Sequence, residues 1–170
     1  MEKKSLPSRK KHRLEMFLYK EGCFFVTINV QNHIRVFWEV VNDNMELNTY
    51  GKIAEECRYD LPNHYPNCEL QSIIIMPNHI HAIISVEKNN EDVVREGLKP
   101  SPTKKYDLHE IIRGFKTFSS RKLHEIWLTN FKRQRSFYDH VIRNEQNFQR
   151  IQEYIELNPY KRENDEYYLG

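Results

Sequence analysis

The sequence predicts an α+β fold of the ferredoxin-like kind: a split βαβ pattern with an antiparallel sheet, helices on one face and an extra C-terminal helix. Three observations predict it. Runs of β-branched and aromatic residues recur at 23–30, 69–76, 79–86 and 135–143. Stretches between and after them carry apolar residues at helical spacing. Asparagine, aspartate and proline stand at the ends of those stretches, where helices start and stop.

Residues 1–13 form a basic leader, with Lys3, Lys4, Arg9, Lys10, Lys11 and Arg13 against Glu2 alone. Cys23 to Val30 reads as a core strand, and Val36–Val41 with Met45–Leu47 as a small side hairpin around Asn42-Asp43-Asn44. Asn48 or Thr49 caps a helix with Ile53, Ala54, Cys57 and Leu61 on one stripe, and Pro62 stops it. Two apolar runs flank Pro77-Asn78, which predicts a hairpin with a tight turn. Residues 87–106, polar and aperiodic, are expected to be a mobile loop. Asp107 and Glu110 match a capping box opening a helix whose apolar face is Leu108, Ile111, Ile112, Phe115 and Phe118. Gly114 inside that helix costs about 1 kcal/mol relative to alanine, which predicts close approach by another backbone or a ligand. Asn144 caps a last helix through Phe148, Ile151, Tyr154 and Ile155, ended by Pro159. The organisation is therefore a leader at 1–13, one domain at 14–160 and an acidic tail at 161–170.

At 170 residues with 39% hydrophobic, 29% charged and 12% aromatic residues, the chain suits one domain with its own core rather than a disordered segment. The net charge is only +2, but its distribution is uneven. Between 113 and 137, Arg113, Lys116, Arg121, Lys122, Lys132, Arg133 and Arg135 face only Glu125. Phe115, Phe118, Trp127, Phe131 and Phe137 interleave with them, a pattern that suits a polyphosphate partner with bases to stack; a solvated charge face fits the charge alone equally well. Cys23, Cys57 and Cys68 show no CxxC spacing and are read as reduced thiols of a cytoplasmic protein. No signal peptide or membrane span is evident.

His79 and His81 alternate on a strand, so both imidazoles leave the same face and could hold a metal ion. For an isolated pair of this kind, hydrogen-bonded histidines at a sheet rim are the favoured reading. On the last helix Tyr154 and Asn158, four residues apart, share a face. A phenol and a carboxamide beside two imidazoles could bind Mg²⁺ or Mn²⁺, with Asn158 as third ligand and Tyr154 as nucleophile toward a phosphate. Tyr138, Tyr160, Tyr167 and Tyr168 are the competing tyrosines; Tyr138, beside Phe137 in a strand, is expected to pack or stack.

Met76-Pro77-Asn78-His79-Ile80-His81 resembles the histidine-hydrophobe-histidine motif of single-tyrosine HUH transposases, and the wider chain is similar to their REP-associated tyrosine transposase branch. Supporting stretches are Phe25 to Ile28, Leu47 to Ile53, Arg113 to Lys116, Tyr138 to Glu145 and Tyr154 to Pro159. The resemblance implies an endonuclease for single-stranded DNA that cuts and rejoins strands near hairpins, with His79 and His81 as metal ligands and Tyr154 as nucleophile. Relatives carry Gln where this chain has Asn158. They also lay a basic surface on the hairpin; here Lys10, Lys11, Arg13, Arg113, Lys116, Arg121, Lys122, Arg133 and Arg135 are the candidates. The competing expectations are a hairpin-binding regulator that does not cleave and a metal-dependent hydrolase that uses water. Oligomeric state, and whether one chain completes the site, are open at this point.

Overall fold

A computed structural model describes residues 19–42, 44–87, 105–126 and 128–158. In chain order the elements are β1 (Gly22–Asn29), β2 (Trp38–Val41), β3 (Asn44–Leu47), α1 (Thr49–Tyr59), α2 (Leu61–His64), β4 (Cys68–Ile75), β5 (His79–Val86), α3 (Leu108–Glu125), β6 (Tyr138–Ile142) and α4 (Glu145–Leu157). The main sheet runs β4-β5-β1-β6 with every neighbouring pair antiparallel, and β2-β3 is a separate hairpin. With β1 and β5 in the middle, this is the ferredoxin-like arrangement the sequence predicts.

Alternation along the strands divides the sheet into two faces. Phe24, Val26 and Ile28 of β1 and Ile80, Ala82, Ile84 and Val86 of β5 enter one core with α1 and α3, whose Ala54, Cys57, Leu108, Ile111, Ile112, Phe115 and Leu123 close it. The opposite face carries Ile83 and Ile142, covered by Ile155, Phe148 and Ile151 of α4. Strand β5 is thus buried on both sides, which is why its sequence is apolar almost without alternation. Strand β4 keeps its apolar residues on the main core through a bulge: the register slips between Leu70 and Ser72, so Cys68 and Leu70 face the same side as Ile73 and Ile75.

The caps form as the sequence indicates. Asn48 Oδ1 accepts from Gly51 N, Asp107 and Glu110 make a reciprocal box, and Asn144 Oδ1 accepts from Asn147 N. Three expectations change. Pro62 does not simply end α1; the helix ends at Tyr59 and Pro62 sits in the first turn of α2, where its missing N–H is harmless. Gly114 is approached by a side chain rather than a backbone or ligand: a Cβ there would collide with Tyr65 Oη. Phe115 and Phe131 are buried in the main core, so these two rings serve packing rather than base stacking, while Phe118 and Phe137 pack only partly against it. Most of the expected mobile loop (88–104), the leader and the acidic tail lie outside the described residues, as does Trp127. The three cysteines form no disulfide, and burial raises their thiol pKa values, that of Cys68 to about 12. No helix among the described residues is long and apolar enough to cross a membrane.

Candidate active site

The β4–β5 turn is tight, with Met76 N donating to His79 O at 2.9 Å. The chain after β1 wraps it, since Val36 N and Phe37 N both donate to Pro77 O, at 2.9 and 3.2 Å. His79 and His81 leave β5 on the α4 face, each only 1% exposed. Their Nε2 atoms stand 3.0 Å apart.

Each ring is fixed from behind. His79 Nδ1 lies 2.7 Å from Asn78 Oδ1, while Asn78 Nδ2 donates to His33 O at 3.4 Å. The carbonyl settles the orientation of the amide, so Asn78 Oδ1 is an acceptor and His79 carries its proton on Nδ1. Nε2 then faces His81 and the site. His81 Nδ1 meets Thr27 Oγ1 at 2.9 Å, and Phe25 stacks on the His81 ring at 5.2 Å between centroids. Thr27 and His81 are directly opposed across β1 and β5.

Helix α4 brings Tyr154 to this pair. Its hydroxyl lies 3.3 Å from His81 Nε2, and its ring meets His81 and Phe25 edge-on. The tyrosine is 39% exposed, so the hydroxyl sits against the buried histidines while the ring remains reachable from solvent. Asn158, one turn further along, is buried at the C-cap of α4. Tyr138 packs little: it is 54% exposed, at the position of β6 opposite Thr27, because an edge strand leaves that flank of the sheet uncovered. Tyr160, Tyr167 and Tyr168 lie outside the described residues.

The two imidazoles are spaced to share one divalent ion. Two ligands held about 2.1 Å from one ion at right angles stand about 3 Å apart, the spacing of the two Nε2 atoms. Among the described residues no group of three His, Cys, Asp or Glu side chains could complete such a site. Asn158, on the helix that brings Tyr154, is a carboxamide that could add a third ligand. Sequence reasoning passed over Thr27, Phe25 and the role of Asn78; the alternation of β1 was their signal, but the β1–β5 pairing that gives it meaning was not visible.

The basic run of 113–137 splits. Arg113, Arg121 and Arg135 line a groove of about 820 Å³ between the outer face of α3 and the segment before β6. Lys116 turns its ammonium onto the carbonyls of Gln134, Arg135 and Ser136, at 2.5, 3.0 and 3.4 Å. Burial, then the neighbouring Arg133 guanidinium, lowers its pKa to about 8. Arg133, expected as a DNA contact, is instead held inward: its guanidinium lies over Phe37, Phe115 and Phe131 at 5.2–5.5 Å and donates to Ser119 Oγ at 3.0 Å, with Nε and Nη1 buried. Burial lowers its pKa to about 10, which leaves it charged at neutral pH. Lys122 turns away to Asp60, 3.7 Å distant, over the Phe118 ring. Lys10, Lys11 and Arg13 lie outside the described residues.

No protein-family model matches the chain. A curated relative, an uncharacterized protein of Haemophilus influenzae, is 31% identical over 174 residues, covering 95% of this chain and 93% of its own. Among solved structures, a REP-associated tyrosine transposase bound to a REP hairpin superposes with a TM-score of 0.55 at 21% identity, over 91% of this chain and 74% of that one. A candidate transposase from Deinococcus radiodurans superposes at 0.50 with 12% identity, over 88% and 95%. The chain therefore belongs to the family of the Haemophilus influenzae protein, and its fold is that of the REP-associated tyrosine transposases.

Proposed function

We propose that this protein is a metal-dependent endonuclease and strand transferase for single-stranded DNA beside hairpins, acting through a covalent 5′-phosphotyrosine on Tyr154. The observation that carries the reading is the meeting of Tyr154 Oη with His81 Nε2 at 3.3 Å, inside one chain and across 73 residues of sequence. A histidine pair alone has structural uses; a pair with its rear nitrogens fixed and a tyrosine hydroxyl at its front suits phosphoryl transfer. The fold neighbour bound to a REP hairpin supports hairpin DNA as the substrate.

In this reading His79 and His81 hold Mg²⁺ or Mn²⁺, with Asn158 as third ligand. When bound, the ion supplies positive charge at the scissile phosphate. Asn78 and Thr27 keep the two imidazoles turned with Nε2 toward it. Tyr154 Oη attacks phosphorus and the P–O3′ bond breaks; the phenolic proton leaves and the departing 3′-oxygen takes one up. The phosphate stays on Tyr154 and on the 5′ end of the downstream strand, so the bond can be re-formed. Arg113, Arg121 and Arg135 in the groove bind backbone phosphates, joined by Lys10, Lys11 and Arg13 of the leader. A DNA substrate places the protein at the nucleoid, in the cytoplasm.

Incubating 5′-labelled and 3′-labelled hairpin DNA with the protein and Mn²⁺ tests this. A covalent adduct on the 5′-phosphate side, absent in Tyr154→Phe, is the expected result, and His79→Ala should lose cleavage while hairpin binding persists. Cleavage that survives in Tyr154→Phe would assign the reaction to water, and tight binding with no cleavage by the wild type would make the protein a regulator.

A further inference from the structure

We propose that Asn29 supplies an oxygen donor to the divalent ion held by His79 and His81. This rests on the metal-dependent reading above and adds to it a ligand from the first strand.

Asn29 closes β1 with its Cα opposite that of His79. Val30 N donates to Asn78 O at 2.9 Å, so Val30 and Asn78 form a hydrogen-bonded pair and Asn29 with His79 the adjoining non-hydrogen-bonded pair. In such pairs the Cα atoms are about 4.5 Å apart and the side chains are at their closest. Thr27 and His81, two residues along on the same face, form another pair of this class, and their side chains touch at 2.9 Å. Asn29 thus stands to His79 as Thr27 stands to His81. Its backbone is pinned as well, with its carbonyl accepting from Gln134 N at 2.9 Å.

The residue is only 8% exposed, and its Oδ1 is buried with no hydrogen-bond donor. A buried carboxamide oxygen without a partner is unfavourable, and a leucine would fill the same volume without that penalty. The position therefore keeps an oxygen lone pair beside the imidazole of His79, whose Nε2 faces that of His81. Hard ions such as Mg²⁺ and Mn²⁺ prefer oxygen to nitrogen, and no third His, Cys, Asp or Glu among the described residues is available to provide it. Asn29 from the sheet and Asn158 from α4 would then bring oxygen to the ion from two elements.

The test measures Mn²⁺ binding to the full-length protein without DNA, by electron paramagnetic resonance of the free ion, together with thermal unfolding in the absence of metal. For Asn29→Leu the expected result is Mn²⁺ affinity at least fivefold weaker, with a metal-free unfolding midpoint equal to or above wild type. For Asn29→Asp it is affinity at least tenfold tighter with a lower metal-free midpoint. Unchanged Mn²⁺ affinity in both variants, with wild-type binding that is lost in His79→Ala, would overturn the role of Asn29 and leave the metal site standing. Absence of saturable Mn²⁺ binding to the wild type would overturn the metal reading and this proposal together.

Discussion

Lys116 stands in the middle of a basic run, yet its ammonium points at the carbonyl oxygens of the segment that walls the groove. Burial lowers its pKa to about 8, against 10.5 for an exposed lysine. The folded protein therefore sheds this proton before the unfolded chain does, and between about pH 8 and 10.5 the unfolded state binds more protons. This group's contribution to stability rises with pH through that window. Urea midpoints of wild type and Lys116→Met, followed from pH 7.5 to 10, should show an upward component in the wild type that the variant lacks; parallel profiles would refute the shift. The same lesson holds at the site. His79, His81 and Tyr154 are legible in the sequence because a strand period and a helix period each leave a mark. Asn29 and Thr27 are not, because their meaning depends on which strand lies alongside β1, and strand pairing leaves no local trace.

The helices were the most legible elements, since caps are local chemistry: Asn48, Asp107 and Asn144 each announce a start by side chain alone. Pro62 was misread because proline forbids a helix interior but suits a helix start, and only the surrounding backbone distinguishes the two. Gly114 shows where tertiary packing overrides propensity. Alanine there would gain about 1 kcal/mol of helix propensity, but its methyl would meet the ring of Tyr65 across from α3. Gly114→Ala should therefore lower the unfolding midpoint in the wild type and raise it in a Tyr65→Ser background. A double-mutant cycle with no coupling would show that the ring moves aside without penalty.

At the scale of the whole molecule, the two sheet faces have different duties: one carries the main core under α1 and α3, the other the histidines under α4. The total charge of +2 conceals a groove lined by Arg113, Arg121, Arg133, Arg135 and Lys116, of which Lys116 and Arg133 are committed to carbonyls, rings and Ser119, while Lys122 of the same run pairs with Asp60 outside it. That partition is measurable through counterion release. Arg113→Gln with Arg135→Gln should reduce the slope of log affinity for hairpin DNA against log salt by about two. Lys122→Gln should leave it unchanged, since that side chain pairs with Asp60; an equal loss for Lys122 would mean that the run acts as one diffuse patch. One further consequence comes from the irregular pairing at Gln71. Because side chains alternate, one extra residue in a regular strand would turn everything before it onto the other face; the bulge takes up Gln71, so the opening of β4 stays in frame with the hairpin that ends in His79 and His81. Deleting Gln71 alone would therefore leave Cys68, Leu70, Ile73 and Ile75 in unbroken alternation on the main core, with both imidazoles still toward α4. Deleting Ser72 together with Gln71 would set Leu70 beside Ile73 and break the frame: either Cys68 and Leu70 would turn out of the main core, or the whole hairpin would roll over and present both imidazoles to α1 and α3. The facing of the histidines thus tolerates the loss of one residue at the bulge and not of two.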